Sequence, residues 1–335
     1  MAPRILVVRM SSLGDILLTT PLLRALRTRH PDAWISYVTK TVFTPLLADN
    51  PRIDELIPYD PGQPLSVLVD RLKAGVYTHR LDLHGSLRSR ALRLRVPGTW
   101  RGYPKHRLAR TLLIRTKRNV YRDPRPVVER YFDAARDLDV QPDGKPLEFF
   151  IRREMLDQAA DFLSHHSLGQ DRSLVAVCPG AQHATKRWPV RHWQDLVTRL
   201  TARGYDVVVL GGPAEREIGE EIAAAGAERA ASAAGRFEIG VSAALLKRSA
   251  RAVSGDSGLL HLATAVGTPL VGLYGPTVRP FGFYPYQARA TALELPLDCR
   301  PCSKMGGPVC PLGHHRCLVD IAPDQVFEAV RKVPR

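Results

Sequence analysis

The sequence predicts an α/β protein of two domains, each built on a parallel β-sheet with helices packed against it. Its 335 residues exceed the usual size of one domain and suit two. Strand-like and helix-like segments alternate, and the alternation starts afresh in the second half, which is typical of parallel sheets. Hydrophobic residues make up 44% and charged residues 24%, so both halves can bury a core.

In the first half, residues 4–9 are predicted to form a short buried strand because residues 5–8 are apolar and mostly β-branched. A turn over 11–15 follows, and 16–29 has apolar residues at helical spacing. Further strands are predicted at 35–38 and 81–83. The segment 106–121 is too polar and too basic for an assignment.

The second half repeats this pattern. Strands are predicted at 174–178 and 206–210, with a helix over 190–203 that ends at Gly204, a residue that tolerates positive φ. Later strands at 252–254 and 270–273 flank a helix over about 258–266, which Gly267 ends.

A domain boundary is predicted within residues 142–172, where Pro142, Gly144 and Pro146 precede an amphipathic helix over 153–165. We expect a first domain over 1–155, a second over 170–320, and a C-terminal helix and tail over 321–335. Ligands of open α/β sheets bind at the carboxyl ends of the strands. Two such halves would therefore leave a binding cleft between their strand ends.

The net charge of +15 favours polyanionic partners. Residues 84–118 contain eleven Arg or Lys residues and no Asp or Glu. This stretch is either an ordinary solvated surface or a face held against phosphates or an anionic membrane. No zinc-finger, helix-turn-helix or RNA-binding signature is present, so we expect no nucleic-acid partner.

The chain is expected to stay in the cytoplasm, at most peripheral to the inner membrane. Its opening apolar run, residues 5–8, is too short for the core of a signal peptide. No stretch approaches the roughly 18–20 apolar residues that span a bilayer.

Asp15 ends the segment Ser11-Ser-Leu-Gly14-Asp15, where the first strand gives way to a helix. It either caps that helix or serves as a general base. These roles compete, because accepting backbone N–H bonds lowers the pKa of a carboxylate. The segment lacks the Gly-Lys-Ser/Thr ending of a phosphate loop.

Two later segments are candidates for binding a diphosphate. In Ser254-Gly-Asp-Ser-Gly258-Leu-Leu-His261 a strand runs into a turn that opens a helix, and such a helix start either binds an anion or is merely capped by Asp256 or Ser257. Lys186 precedes Pro189, a suitable first helical residue. Its ammonium either neutralises a departing diphosphate or belongs to an exposed basic loop.

Four of the five cysteines are close together in sequence, with spacings typical of a structural tetrahedral zinc site. The alternative is that they are reduced and hold no metal. A catalytic metal is not expected, because four protein ligands leave no open position. The four are Cys299, Cys302, Cys310 and Cys317.

Three segments in this order resemble glycosyltransferase family 9, the heptosyltransferases of lipopolysaccharide core assembly. They are residues 5–21, residues 179–193 with Lys-Arg-Trp-Pro, and residues 254–269 followed by Gly275-Pro-Thr277. The resemblance covers nearly the whole chain. Pro179-Gly-Ala181 and the cysteine-rich tail look more like the heptosyltransferase II side of the family.

The resemblance implies a GT-B architecture: two Rossmann-like domains with sheets facing across a cleft, the first binding the acceptor and the second the nucleotide sugar. It implies inverting, metal-independent transfer of heptose from ADP-heptose to a phosphorylated lipid A-core acceptor. No cofactor would be needed. Asp15 would deprotonate the acceptor hydroxyl and Lys186 would hold the diphosphate. Donor-binding residues would be Gly180, Ala181, Glu215, Asp256, Ser257, Gly258, Leu259 and His261, and acceptor-binding residues Ser12, Gly14, Arg88 and Arg90.

Two other functions remain open at this point. A family member could use another nucleotide sugar, a different glycan or a small-molecule acceptor. A non-catalytic protein could instead bind nucleotides or polyanions.

Overall fold

The computed structural model describes residues 2–333, which divide into two compact units. Unit 1 comprises residues 2–105 and 125–150, and unit 2 comprises residues 106–124 and 151–333. Residues 334 and 335 of the predicted C-terminal tail lie outside the described residues.

Unit 1 is built on a five-stranded parallel sheet in the order β3-β2-β1-β4-β5. The central strand β1 is buried along Ile5–Val8 because its side chains are apolar on both faces. Helices α1–α4 and α6 connect or flank the strands, and α5, which follows β5 in the chain, belongs to unit 2. The elements up to residue 150 are β1 Arg4–Val8, α1 Leu13–Leu17, α2 Thr20–Arg29, β2 Trp34–Lys40, β3 Glu55–Tyr59, α3 Leu65–Ala74, β4 His79–Asp82, α4 Leu87–Arg95, β5 Trp100–Gly102, α5 Arg107–Thr116 and α6 Val127–Phe132.

Unit 2 contains a six-stranded parallel sheet in the order β11-β10-β9-β6-β7-β8. Its core surrounds the fully buried Trp193, which packs edge-on against Trp188. The elements are α7 Arg153–His165, β6 Leu174–Cys178, α8 Val190–Ala202, β7 Asp206–Val209, α9 Arg216–Ala224, β8 Ala230–Ser232, α10 Ile239–Arg248, β9 Arg251–Gly255, α11 Gly258–Ala265, β10 Leu270–Tyr274, β11 Ala290–Glu294, α12 Arg316–Val319 and α13 Pro323–Lys332.

Both sheets have the strand order of the doubly wound Rossmann fold. The chain direction reverses across the sheet between β1 and β4 in unit 1, and between β6 and β9 in unit 2. Ligands of such sheets bind outside the carboxyl ends of the strands at these switch points. The predicted α/β class with two parallel sheets is confirmed.

The helical pattern predicted over 16–29 is confirmed for most of its length, but a break at residues 18 and 19 divides it into the end of α1 and the whole of α2. The hydroxyl of Thr19 donates to the carbonyl of Ile16 at 2.7 Å, and that of Thr20 donates to Leu17 at 2.8 Å. These side-chain bonds occupy carbonyls that a continuous helix would use, and Pro21 has no N–H to give.

The unassigned segment 106–121 contains helix α5. Across residues 2–333, each helix is either too short or too polar to cross a membrane.

Candidate functional site

Asp15 lies in the first turn of α1, just after the loop that follows β1, at the switch point of unit 1. One carboxylate oxygen of Asp15, Oδ2, accepts hydrogen bonds from the backbone N–H of Ser12 at 3.2 Å and from its hydroxyl at 3.0 Å. The other, Oδ1, lies 2.5 Å from a guanidinium nitrogen of Arg9. Asp15 therefore does cap α1 through Ser12, and it also forms a partly buried ion pair with Arg9.

Two opposing effects set the protonation of Asp15. Burial raises the pKa of its carboxyl, but the charge of Arg9 and the hydrogen bonds from Ser12 outweigh burial and leave the pKa below its ordinary value. Asp15 is therefore a carboxylate at neutral pH.

Arg9 and His84 are two residues of this site that the sequence interpretation missed. Arg9 is 6% exposed, donates to the carbonyl of Leu83, and lies 5.9 Å from the ring centroid of Tyr131. His84 follows β4; burial, together with the positive charges of Arg9 and Lys105, lowers its pKa to about 4. The imidazole is therefore neutral at pH 7. The sequence signal that could have identified Arg9 is its position directly after a buried strand.

The predicted acceptor residues lie in loops and a helix that follow the paired strands β1 and β4. Ser12 and the buried Gly14 lie beside Asp15 in the chain. Arg88 and Arg90 lie in the exposed part of α4, and the Arg88 guanidinium is 5.5 Å from the ring centroid of Tyr59. Asp15 and α4 thus both belong to the carboxyl edge of the unit 1 sheet.

Lys186 and Asp256 meet at the switch point of unit 2. The ammonium of Lys186 lies 2.7 Å from Oδ2 of Asp256, and the hydroxyl of Thr277 donates to the same oxygen at 2.6 Å. The side chains of Lys186 and Asp256 are 15% and 8% exposed. The Lys186 ammonium, which has three N–H donors, is held in place by this contact with Asp256.

Helix α11 begins directly after this ion pair. Its N-cap is Ser257, whose hydroxyl lies 3.2 Å from that of Ser254. A Cβ on Gly255 would approach the carbonyl oxygen of Lys186 to 3.0 Å, so the two loops pack closely. Of the other predicted donor residues, Gly258 and Leu259 form the first turn, and His261 is buried one turn further on. The N–H groups of that first turn carry the positive end of the helix dipole.

Glu215 lies against the turn that follows β6. Its Oε2 accepts a hydrogen bond from the backbone N–H of Gly212 at 2.9 Å. A Cβ on Gly180 would come within 2.7 Å of the Glu215 carboxyl carbon, so a side chain there would push the Glu215 carboxylate aside. The adjacent cavity of ≈ 30 Å³ is lined in part by Gly180, Trp193 and Glu215. The carbonyl of Ala181 accepts from the Arg187 guanidinium at 2.8 Å.

The predicted zinc site is not supported. Within residues 2–333, no three or more Cys, His, Asp or Glu side chains form a group that could hold a metal ion. The loop between Cys302 and Cys310 is held against another segment, because Gly307 exchanges hydrogen bonds with Thr185. Burial, with a smaller effect of the neighbouring cysteines, raises the pKa of the Cys317 thiol to about 11, so this thiol is protonated at neutral pH in the metal-free protein.

Comparisons with known proteins agree on one family. A model described as "Glycosyltransferase family 9 (heptosyltransferase)" matches residues 66–312. Lipopolysaccharide heptosyltransferase 2 of Salmonella typhimurium is 30% identical over 350 residues, covering 98% of this chain and 98% of that protein.

Solved structures of the same family have a similar fold. A glycosyltransferase family 9 structure from Veillonella parvula has a TM-score of 0.83 at 28% identity, covering 99% of this chain and 97% of its own. The structure of E. coli ADP-heptose lps heptosyltransferase II has a TM-score of 0.75 at 28% identity, with 98% of each chain covered.

Proposed function

This chain belongs to glycosyltransferase family 9, the heptosyltransferases, and on that premise we propose that it transfers heptose from ADP-heptose to a phosphorylated inner-core sugar of lipopolysaccharide. The similar E. coli enzyme is named for ADP-heptose, which supports ADP-heptose as the donor. The lipopolysaccharide heptosyltransferase 2 relatives support lipopolysaccharide as the acceptor. The observation that carries the proposal is the Lys186–Asp256 pair at the start of α11, because it holds the Lys186 ammonium beside the helix N–H groups, where a diphosphate can bind.

We assign donor binding to unit 2. The first-turn N–H groups of α11 and the ammonium of Lys186 bind the diphosphate, and Asp256 with Thr277 orients that ammonium. Negative charge grows on the diphosphate as its bond to the sugar breaks, so charge fixed at this position stabilises the transition state more than the ground state. Gly180, Ala181 and Glu215 form the nucleotide side of the site.

Acceptor binding and deprotonation belong to unit 1. Ser12 and Gly14 border the acceptor hydroxyl, and Arg88 and Arg90 bind its phosphates. The hydroxyl oxygen attacks the anomeric carbon while the bond from that carbon to the diphosphate breaks. Asp15 takes the hydroxyl proton, ADP leaves with the bonding electron pair, and a single displacement inverts the anomeric centre. This mechanism needs no metal, since Lys186 and α11 supply the positive charge.

The acceptor also suggests where the protein works. Its phosphates would draw the basic stretch of residues 84–118 toward the anionic inner membrane from the cytoplasmic side. No nucleic acid is required as a partner.

Replacement of Asp15 by alanine tests the mechanism and separates it from a purely binding role. We expect Asp15→Ala to keep ADP-heptose binding, measured by calorimetry, and to lose transfer by about 10²–10⁴-fold. Equal transfer by both forms would remove Asp15 as the base. A wild-type protein that binds the donor but never transfers would be a binding protein.

A second use of the same site is transfer from another nucleotide sugar. Turnover measured across a panel of ADP- and UDP-sugars distinguishes the two. Strong preference for ADP-heptose supports the proposal, and inactivity with it contradicts the choice of heptose.

A further inference from the structure

Exposed leucines are concentrated in the most basic part of the chain. Of the five leucines that remain exposed among residues 2–333, Leu87, Leu94, Leu108 and Leu112 lie within residues 84–118, where no carboxylate occurs. Exposed apolar side chains beside clustered cations are typical of segments that contact anionic lipid. Nucleic acid would need the cations but not the leucines.

Helix α4 has two chemically different faces. Ser89 and Leu92 point inward and are 1% and 0% exposed, and the Ser89 hydroxyl donates to the buried carboxylate of Asp82 at 3.0 Å. Leu87 and Leu94, seven residues apart, lie on the opposite face and are 83% and 88% exposed. This outward face is therefore not part of the core of unit 1.

Arginines accompany the two leucines. Arg90 lies on the same helical face between them, and Arg88 and Arg95 lie along one side of it. Within the described chain, neither Arg90 nor Arg95 forms an ion pair, whereas Arg93 lies 3.9 Å from Asp82. We call Leu87, Arg90, Leu94 and Arg95 the leucine–arginine face.

We propose that the leucine–arginine face of α4 docks on an anionic lipid surface, with Leu87 and Leu94 entering the interface between headgroups and acyl chains. Arginine side chains can extend toward lipid phosphates while their aliphatic stems stay beside the leucines. Two leucines and a few cations give reversible binding rather than permanent anchoring.

The position of α4 connects this face with the reaction, a step that rests on the proposed function. Helix α4 follows β4, the strand paired with β1, so it shares the carboxyl edge of the unit 1 sheet with Asp15. Docking through α4 would present this edge to an acceptor whose lipid is embedded in the same membrane.

Vesicle flotation with the full chain tests the proposal. The vesicles contain phosphatidylglycerol and phosphatidylcholine, or phosphatidylcholine alone, and neither contains lipopolysaccharide. We expect the wild type to bind the anionic vesicles and not the neutral ones. Leu87→Ser/Leu94→Ser should lower binding about tenfold at equal salt, because apolar burial is lost while all charges remain. The control Val67→Ser/Val76→Ser removes two exposed valines of unit 1, 54% and 73% exposed, and should bind like the wild type.

Three results would overturn the proposal: no binding by the wild type, unchanged binding by the leucine variant, or a wild-type dimer in sedimentation that the leucine variant abolishes. The last result would mean that a second copy covers this face. Transfer to a soluble deacylated acceptor should be equal in the wild type and the leucine variant. If that transfer fails in both while vesicle binding persists, the proposed function fails and the docking face stands.

Discussion

Among single residues, Arg9 sets the protonation state of Asp15, the proposed base. The ion pair of 2.5 Å keeps a largely buried carboxyl ionised, which burial alone would oppose. A lowered pKa makes Asp15 a weaker base but ensures that it is unprotonated at neutral pH. In the proposed mechanism, protonation of Asp15 would leave the buried charge of Arg9 without its partner, which would favour release of that proton once the product leaves.

Replacing Arg9 should change the pH dependence of transfer. The proposed base can accept a proton only as a carboxylate, so we expect activity to fall as the pH drops through the pKa of Asp15. Arg9→Met removes the charge that lowers this pKa and leaves burial, which raises it, so the acid limb of kcat/KM should move to higher pH. Arg9→Lys keeps the charge and should restore most of the profile. If kcat/KM of Arg9→Met fell at every pH while its acid limb stayed at the wild-type pH, Arg9 would only support the fold.

Lys186 should matter for the leaving group more than for the stability of the fold. Lys186→Met should lower kcat by about 10²–10³-fold, the cost of removing one preorganised donor to developing charge. The exposed Lys247 at the end of α10 provides a matched control, and Lys247→Met should transfer normally. Single-turnover measurements separate the chemical step from donor binding. A loss confined to KM would show that Lys186 binds the ground state and transition state alike.

Sequence reasoning selected residues of polar segments that follow strands, such as Asp15, Lys186 and Asp256, and their roles stay predictions. It missed Arg9 and His84 because their roles come from tertiary contacts. Arg9 meets Asp15 only when the loop after β1 folds back, and the low pKa of His84 depends on burial and on two cations distant in sequence.

Among the elements, the turns after the strands of unit 2 depend on close packing of backbone against side chain. Glu215 fits against Gly180 and also against Gly211, where a Cβ would come within 2.7 Å of the Glu215 Cβ. Its carboxylate is thereby held on the N–H of Gly212. The turns after β6 and β7 therefore fix the direction of one carboxylate at the edge of the proposed nucleotide site.

Gly180→Ala should displace Glu215, because the added methyl group would overlap its carboxyl carbon. We expect KM for ADP-heptose to rise severalfold with a smaller change in kcat, since the nucleotide side lies away from the reacting bond. Gly307→Ala is the control, because its new Cβ would meet only the Val309 carbonyl oxygen, at 3.8 Å. Unchanged donor affinity in Gly180→Ala would remove Glu215 from the nucleotide site.

Buried strands were easier to predict from the sequence than edge strands and exposed helices. The central strand β6 occupies the predicted residues because a continuous apolar run fits a strand buried on both faces. The edge strands β5 and β8 have three residues each and no clear pattern, since pairing with a neighbour defines them. Helix α5 was not predicted from the sequence, because it carries arginines and leucines that are exposed on the same side.

Across the molecule, two units with the same strand order carry groups of opposite charge at their switch points. Unit 1 presents the carboxylate of Asp15, and unit 2 presents the ammonium of Lys186 and the N–H groups of α11. A displacement that removes a proton from one substrate and adds charge to the other needs both kinds of group. The excess of basic residues lies largely in a stretch that faces solvent, consistent with an acceptor carried on an anionic surface.

The most direct test of heptose transfer is the intact mass of a heptose-deficient lipopolysaccharide acceptor after incubation with purified protein and ADP-heptose. We predict that the acceptor gains the mass of one heptose, that one ADP is released for each transfer, and that Asp15→Ala gives neither. An acceptor of unchanged mass, or one that gains a sugar only from a different nucleotide donor, would contradict the assignment.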